Sequence, residues 1–192
     1  YPMIKYSYIF KNISVILLFL SLSGCVSALE MAFEDRSGDD IATDTQIKTE
    51  ILAEIADKQG ASAAASTSVI VYEQVVLLTG ALENSSDRNA VNSIARDTGS
   101  VKKVINELTI AKADSSTGDT ASDILINQKI HAQAATNSFI RHTNWRWNTV
   151  NGTVYLFGRA LTQQERSDMR RLVRDIDGVK NLIDHSFVRS VK

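Results

Sequence analysis

The chain has one cysteine, three histidines and no apolar run long enough to cross a bilayer. One thiol closes no intrachain disulfide, so the fold has to be held by packing. His131, His142 and His185 fall on a helix, a helix–strand connection and a last strand, with no spacing that assembles a metal site. G-x-S-x-G, a P-loop and G-x-G-x-x-G are all missing, which removes a nucleophile elbow and the common nucleotide cradles. Glu165-Arg166 and Arg170-Arg171-x-x-Arg174 lie on one amphipathic helix, where ion pairing and solubility explain them better than catalysis. No catalytic residue, metal or cofactor is expected.

The one sustained apolar run, Ile13 to Leu22, is half the roughly 20 residues a spanning helix needs. Lys5 and Lys11 precede it and Leu22-Ser23-Gly24-Cys25 ends it, the pattern of a secretory signal peptide over residues 1–24, with Met3 as the expected start. An apolar residue, two small residues and a thiol form a lipobox, in which the Cys25 sulfur is the nucleophile that receives a diacylglyceryl group. The competing reading cuts the signal elsewhere and leaves Cys25 a free or buried thiol. It is the weaker one, because the single cysteine sits where the apolar run stops. Two acyl chains, at about 0.8 kcal/mol per buried methylene, anchor firmly where one is marginal.

Charge is distributed unevenly behind a net value of -1. Residues 26–120 carry 8 Lys+Arg against 16 Asp+Glu, and residues 121–192 carry 11 against 6, so the two halves suit different partners or each other. Residues 25–42 read as an acidic lipidated tether. Beyond it the sequence repeats at an offset of 78: Gly80 falls on Gly158, Arg96-Asp97 on Arg174-Asp175, Val101-Lys102 on Val179-Lys180 and Ile105 on Ile183. That register implies a duplicated unit of about 70 residues, with domains at 43–111 and 121–192 and a polar linker at 112–120.

Each unit reads helix, strand, strand, helix, strand, an α+β class. Ile47, Ile51, Leu52 and Ile55, and Ile126, Ile130 and Ala134, recur at helical spacing, with Thr43 or Thr45 as the first helix's cap. Trp145, Trp147 and Thr149 alternate inward, Asn151-Gly152 supplies a tight turn, and Val154 and Leu156 return on the same face. Thr67, Val69, Val71, Val76 and Leu78 do the same around Glu73-Gln74, a turn without glycine. Val91, Ile94 and Ala95, and Met169, Leu172 and Val173, mark a second helix, and last strands follow at 101–110 and 179–188. Tyr155 and Phe157 alternate out of the core phase, which points to contact between the two units.

The stretches VNGTVYLFGRA and RDIDGVKNLID, with a fair match in VYEQVVLLTGALENSSDRNAVNSIARDTGSVKKVINEL, resemble the BON domain family over about residues 43–189. The resemblance implies two tandem αββαβ domains, each a three-stranded mixed sheet covered on one face by two helices. A lipobox ahead of two such units is the layout of outer-membrane lipoproteins. It implies a lipid-anchored protein on the periplasmic face, non-enzymatic, that binds anionic phospholipid such as phosphatidylglycerol or cardiolipin and supports envelope integrity. Val26, where aspartate tends to retain a lipoprotein in the inner membrane, fits that destination. The resemblance puts lipid contact on the first helix of the second unit, here Ile124, Leu125, Gln128 and Lys129. Leu125 stands where a relative has a membrane-inserting tryptophan.

The residues alone weigh evenly. Ile124 to Ile126 is more apolar surface than one stripe buries, and a Lys or Arg near an anionic leaflet contributes about 1 kcal/mol, yet Leu125 could flank a wide core stripe. The alternative is a structural adaptor whose domains bind outer-membrane or division-site proteins. Trp145 and Trp147 beside Arg146 suggest a nucleic-acid platform only superficially, since both tryptophans are in core phase and a signal peptide takes the chain away from nucleic acid.

Overall fold

Helix α1 spans Gly38–Ala65 in a computed structural model that describes residues 34–111 and 117–189. Cys25 and the signal segment lie outside those residues. Ser37 is the N-cap, its hydroxyl accepting from the Asp40 amide at 3.1 Å, and Asp39 and Asp40 sit at the positive end of the helix dipole. The Ser37 hydroxyl also donates to the Asp40 carboxylate at 2.6 Å, which holds its pKa below the usual carboxylate range. The helix therefore starts before the Thr43 or Thr45 cap expected of it and takes residues 38–42 from the tether. Two of the acids that read as tether charge, Asp39 and Asp40, are first-turn charges. Thr43 and Thr45 bond back to the carbonyls of Asp39 and Ile41 instead.

Antiparallel β1 (Thr67–Tyr72) and β2 (Val75–Leu82), helix α2 (Ser85–Asp97) and β3 (Lys103–Ile110), parallel to β2, complete the first domain. The second repeats it with α3 (Thr117–Thr136), β4 (Trp145–Val150), β5 (Thr153–Ala160) and α4 (Gln163–Arg174). Residues 117–120, read as linker, belong to α3. The last strand is split into β6 (Asn181–Asp184) and β7 (Phe187–Val188), both parallel to β5. The split comes where the Asp184 carboxylate turns onto the Ser186 amide at 2.8 Å and pairs with Arg166 at 3.0 Å. Both sheets are mixed, with β2 and β5 central.

The apolar stripes are buried as spaced. Ile47, Ile51, Ile55, Val91, Ile94 and Ala95 close one face of the first sheet; Ile126, Ile130, Ala134, Met169, Val173 and Ile176 close one face of the second with Trp145 and Leu156. The opposite faces pack on each other. Tyr72, Leu77, Tyr155 and Phe157 form a third apolar cluster, in which Tyr72 meets Phe157 and Phe187 edge-on at 6.3 and 6.0 Å. Arg159 pairs with Glu73 at 2.6 Å, Asn148 donates to Thr79 at 2.8 Å, and His185 bonds Glu107 at 2.8 Å. Burial, and then Glu107, push the Tyr155 phenol above its ordinary pKa. The domains stand back to back with their helix layers on the two outer sides. The intramolecular contact expected from Tyr155 and Phe157 is there.

One carboxylate in each first helix fixes the neighbouring hairpin. Asp44 accepts from the amides of Glu73 and Gln74, both at 2.8 Å, and Asp123 from those of Asn151 and Gly152 at 2.7 and 2.8 Å. Both turns need positive φ at their two central residues. The second has glycine there; the first holds Glu73 at 52° and Gln74 at 66°, so its clamp also opposes backbone strain. Asp44 is buried, and Arg36, stacked 4.0 Å over the Tyr72 ring, pairs with it. Asp44→Ala strands two turn amides, removes one partner of the buried Arg36 guanidinium and is expected to cost about 2–4 kcal/mol. Asp123→Ala, at a more exposed and intrinsically favoured turn, should cost about 1 kcal/mol. Urea midpoints of the two variants check the order.

Candidate functional site

Helix α3 is asked to bury more apolar surface than its packing face holds. Ile126, Ile130 and Ala134 take the core positions, and Ile124 and Leu125 are left 51% and 55% exposed. They are adjacent, on one helix, and not scattered. Gln128 and Lys129, one turn on from Leu125, are exposed too, so the four residues named from the sequence share a continuous strip. Cys25 lies outside the described residues.

Three neighbours fix where that strip sits. Asp123, just before it, holds the β4–β5 turn. Gly178 lies under Ile126, close enough that a Cβ there would come within 3.3 Å of its side chain. The Lys180 stem covers Gly152, with a Cβ at that glycine 2.9 Å from its Cδ. The start of α3, the hairpin turn and the 177–180 loop thus form one end of the domain and bring two ammonium groups to it. Lys129 is shared with Asp177: its Nζ donates to the Asp177 carbonyl at 3.3 Å and lies 3.5 Å from the carboxylate. Asp177 is 99% exposed, so the pair is weak and easily exchanged for another anion.

The positive charge of the second half is mostly engaged. Arg159 goes to Glu73, Arg166 and Arg170 to Asp184, and Arg171 to Asp168. Arg141, Arg174 and Lys180 are exposed. Beside Ile124 a groove of about 540 Å³ runs between the domains, lined by hydroxyls and amides of Ser66, Ser68, Thr120, Asn148 and Asn151. Between the end of α3 and α4 lies an open cleft of about 730 Å³ bordered by Phe139, Arg171 and Leu172.

Sequence reasoning did not foresee Asp123 as a clamp, Asp177 as the partner of Lys129, or Lys180 at this end. Lys180 stands in the D-x-x-G-V-K stretch and was within reach; Asp177 pairs across 48 residues and left no signal. The rings of His131 and His142 lie 6.2 Å apart, but no group of three or more His, Cys, Asp or Glu among the described residues is placed to hold a metal ion. The buried Glu165 carboxylate accepts from three N–H groups and serves structure. What the surface offers is exposed apolar side chains beside exposed ammonium groups.

The family model described as "BON domain" matches residues 43–112 and 122–187, the two αββαβ units just described. The chain belongs to the BON-domain family. It is a dual BON protein, and among curated proteins it is similar to "Outer membrane lipoprotein DolP" of Haemophilus influenzae, 27% identical over 175 residues that cover 84% of this chain and 87% of that one. It is 34% identical over 124 residues to an "Uncharacterized protein in gshII 5'region" of Anaplasma centrale, covering 65% of this chain and 81% of the relative. Among solved structures, CdsD, a structural protein of the type III secretion system of Chlamydia trachomatis, aligns with 76% of this chain and 63% of its own at 11% identity. Its TM-score of 0.29 is too low to bear on the fold.

Proposed function

We propose that this dual BON protein is a non-enzymatic lipoprotein of the outer membrane, anchored at Cys25 on the periplasmic face, whose second BON domain binds anionic phospholipid through Ile124, Leu125, Gln128 and Lys129 and so supports envelope integrity. The observation that carries the reading is the adjacent pair Ile124 and Leu125, more than half exposed on a helix whose core stripe is already filled. Leucine at such a site gains from burial in acyl chains, and Lys129, with Lys180 at the same end, meets a headgroup phosphate. The printed name of the Haemophilus relative supports the location. No helix among the described residues is long and apolar enough to cross a membrane. Acyl chains hold the protein on a bilayer, and the helix selects the lipid it rests against.

Co-sedimentation of the unlipidated chain from Val26 to Lys192 with phosphatidylglycerol or cardiolipin vesicles tests this. Binding above that to neutral vesicles is expected, and Leu125→Asp should reduce it at least about tenfold, since the contribution of one buried leucine is lost and a like charge added. Equal binding to neutral vesicles, or an unaffected variant, would overturn the site. The second reading, an adaptor for envelope proteins, is favoured by the tying-up of Arg159, Arg166, Arg170 and Arg171 in ion pairs, which leaves few free charges for headgroups. Salt separates the two: headgroup attraction fades as the screening length falls from about 30 Å at 0.01 M to about 3 Å at 1 M.

A further inference from the structure

Phe139 is 78% exposed, more than any other large apolar side chain among the described residues. It is held out by a built turn. The Asn137 carboxamide oxygen accepts from the Phe139 amide at 2.9 Å, and the Ile140 amide donates to the Asn137 carbonyl at 3.2 Å. Ile140, the next residue, is buried in the core. A ring fixed outward between a capped turn and a core residue is presented to something.

The turn follows the C-terminal end of α3, the helix whose other end carries Ile124 and Leu125. From Leu125 to Thr136 the helix rises about 17 Å. The exposed positions between them, Gln128, Lys129, His131, Ala132, Gln133 and Ala135, include no large apolar side chain, so Leu125 and Phe139 stand as separate knobs. The helix layer lies on the outer side of the domain, because the other face of its sheet is closed by the first domain. Arg141, two residues past the ring, is exposed as well.

We propose that Phe139 is a second insertion point for the same bilayer, so that α3 lies along the membrane surface with Leu125 at one end and Phe139 at the other. The inference rests on the lipid reading above and adds an orientation to it. Two apolar knobs separated by a low, polar strip suit a planar, deformable partner that needs no matching pockets, and an aromatic ring prefers the interfacial layer. Reach agrees. Only ten residues lie between Cys25 and Arg36, a contour of roughly 40 Å at full extension, so a chain anchored at Cys25 keeps a bilayer beside its domains at all times.

The test uses the lipid-anchored full chain in phosphatidylglycerol vesicles. Acylation consumes the one native thiol, so Phe139→Cys, Leu125→Cys and Glu54→Cys each introduce a unique site for a spin label, whose accessibility to oxygen and to a water-soluble nickel chelate reads lipid against water. Labels at 139 and 125 in the lipid phase, with 54 in water, are the expected result. A lipid-phase label at 139 with an aqueous one at 125 would keep Phe139 as an anchor and remove the Leu125 site. A lipid-phase label at 125 with an aqueous one at 139 would overturn the second anchor and leave the phospholipid reading standing. Water at both would overturn the two together. Because the label replaces the ring, Phe139→Ser in the unlipidated chain is the companion: about a tenfold loss of vesicle binding with an unchanged urea midpoint is expected, and undiminished binding counts against the proposal.

Discussion

Gly158→Ala is expected to destabilise the second domain by about 3–5 kcal/mol, a large part of what a domain of this size has. Gly158 adopts φ +117°, a conformation that L side chains rarely enter, and a Cβ there would sit 2.2 Å from the Asn144 carbonyl oxygen and 3.1 Å from the Trp145 Cα. The obstacle is backbone. Trp145 is paired with Gly158 in the β4–β5 ladder, and its indole is tied to Glu165, so β4 cannot step aside without breaking the sheet or the core under it. Strained φ and a core overlap each cost about 1–3 kcal/mol, and here they fall on one atom. Gly80 repeats the situation, at φ +133° with the Ser66 oxygen 2.0 Å from the added carbon, and Gly80→Ala should do the same to the first domain. Gly99→Ala, with nothing within 4 Å, is the control. Urea unfolding followed by far-UV circular dichroism reads all three. A loss under about 1 kcal/mol at Gly158 would mean that the hairpin relaxes around the methyl group.

These two glycines illustrate what a single sequence does and does not carry. Their alignment at an offset of 78 was visible and marked the duplication, but the reason for them, a partner strand crossing too close for a Cβ, is a tertiary fact. Helical and strand periods were legible because burial enforces them: Ile47, Ile51 and Ile55, or Val154 and Leu156, can satisfy their surfaces only on one face. The start of α1 was not, because Asp39 and Asp40 look alike in a tether and in a first helical turn, and only the Ser37 hydrogen bond tells them apart. The split of the last strand depends on Arg166 reaching Asp184 from another element.

The same limit applies to the site. The surplus of apolar residues at 124–126 announced exposure, and Ile124 and Leu125 are exposed. That Lys129 would be shared with Asp177 could not be read, nor that Arg159, Arg166, Arg170 and Arg171 would face acids of their own chain. The domain interface falls between these cases. Tyr155 and Phe157 betrayed it by breaking the alternation, whereas Glu107 and His185 gave no warning although they stand 78 residues apart, the offset of the repeat. Equivalent positions of two copies meet where a two-fold axis passes, so this pair marks a pseudo-dyad of the kind that relates subunits in a symmetric dimer. Once duplicated into one chain the copies were free to diverge, and an acid now faces a histidine.

Divergence between the copies leads to the other large effect. Glu165→Ala is expected to cost about 3–5 kcal/mol, while Asp87→Ala, at the matching position of the first domain, should cost about 1 kcal/mol. Both residues stand three after a helix cap, and both give the cap an amide: Thr162 accepts from Glu165 at 3.0 Å and Asn84 from Asp87 at 2.9 Å. There the likeness ends. Asp87 is half-buried and meets only the Asn84 amide group at 3.0 Å. Glu165 is buried, and its carboxylate accepts from the Leu161 amide at 2.6 Å, the Arg141 amide at 2.8 Å and the Trp145 indole at 3.1 Å. Removing it leaves three donors without acceptors, the Trp145 indole in the core and two backbone amides at its part-buried edge, each a loss of about 1–3 kcal/mol. Glu165→Gln, which keeps one acceptor oxygen for Arg141 and Trp145 but turns an amide group toward Leu161, should fall between. Equal midpoints for Glu165→Ala and Asp87→Ala in urea would show that water enters and replaces the carboxylate. The consequence reaches the surface, because the Arg141 amide that Glu165 holds is two residues from Phe139. A loosened turn would present the ring less rigidly and raise the entropy cost of inserting it into a bilayer.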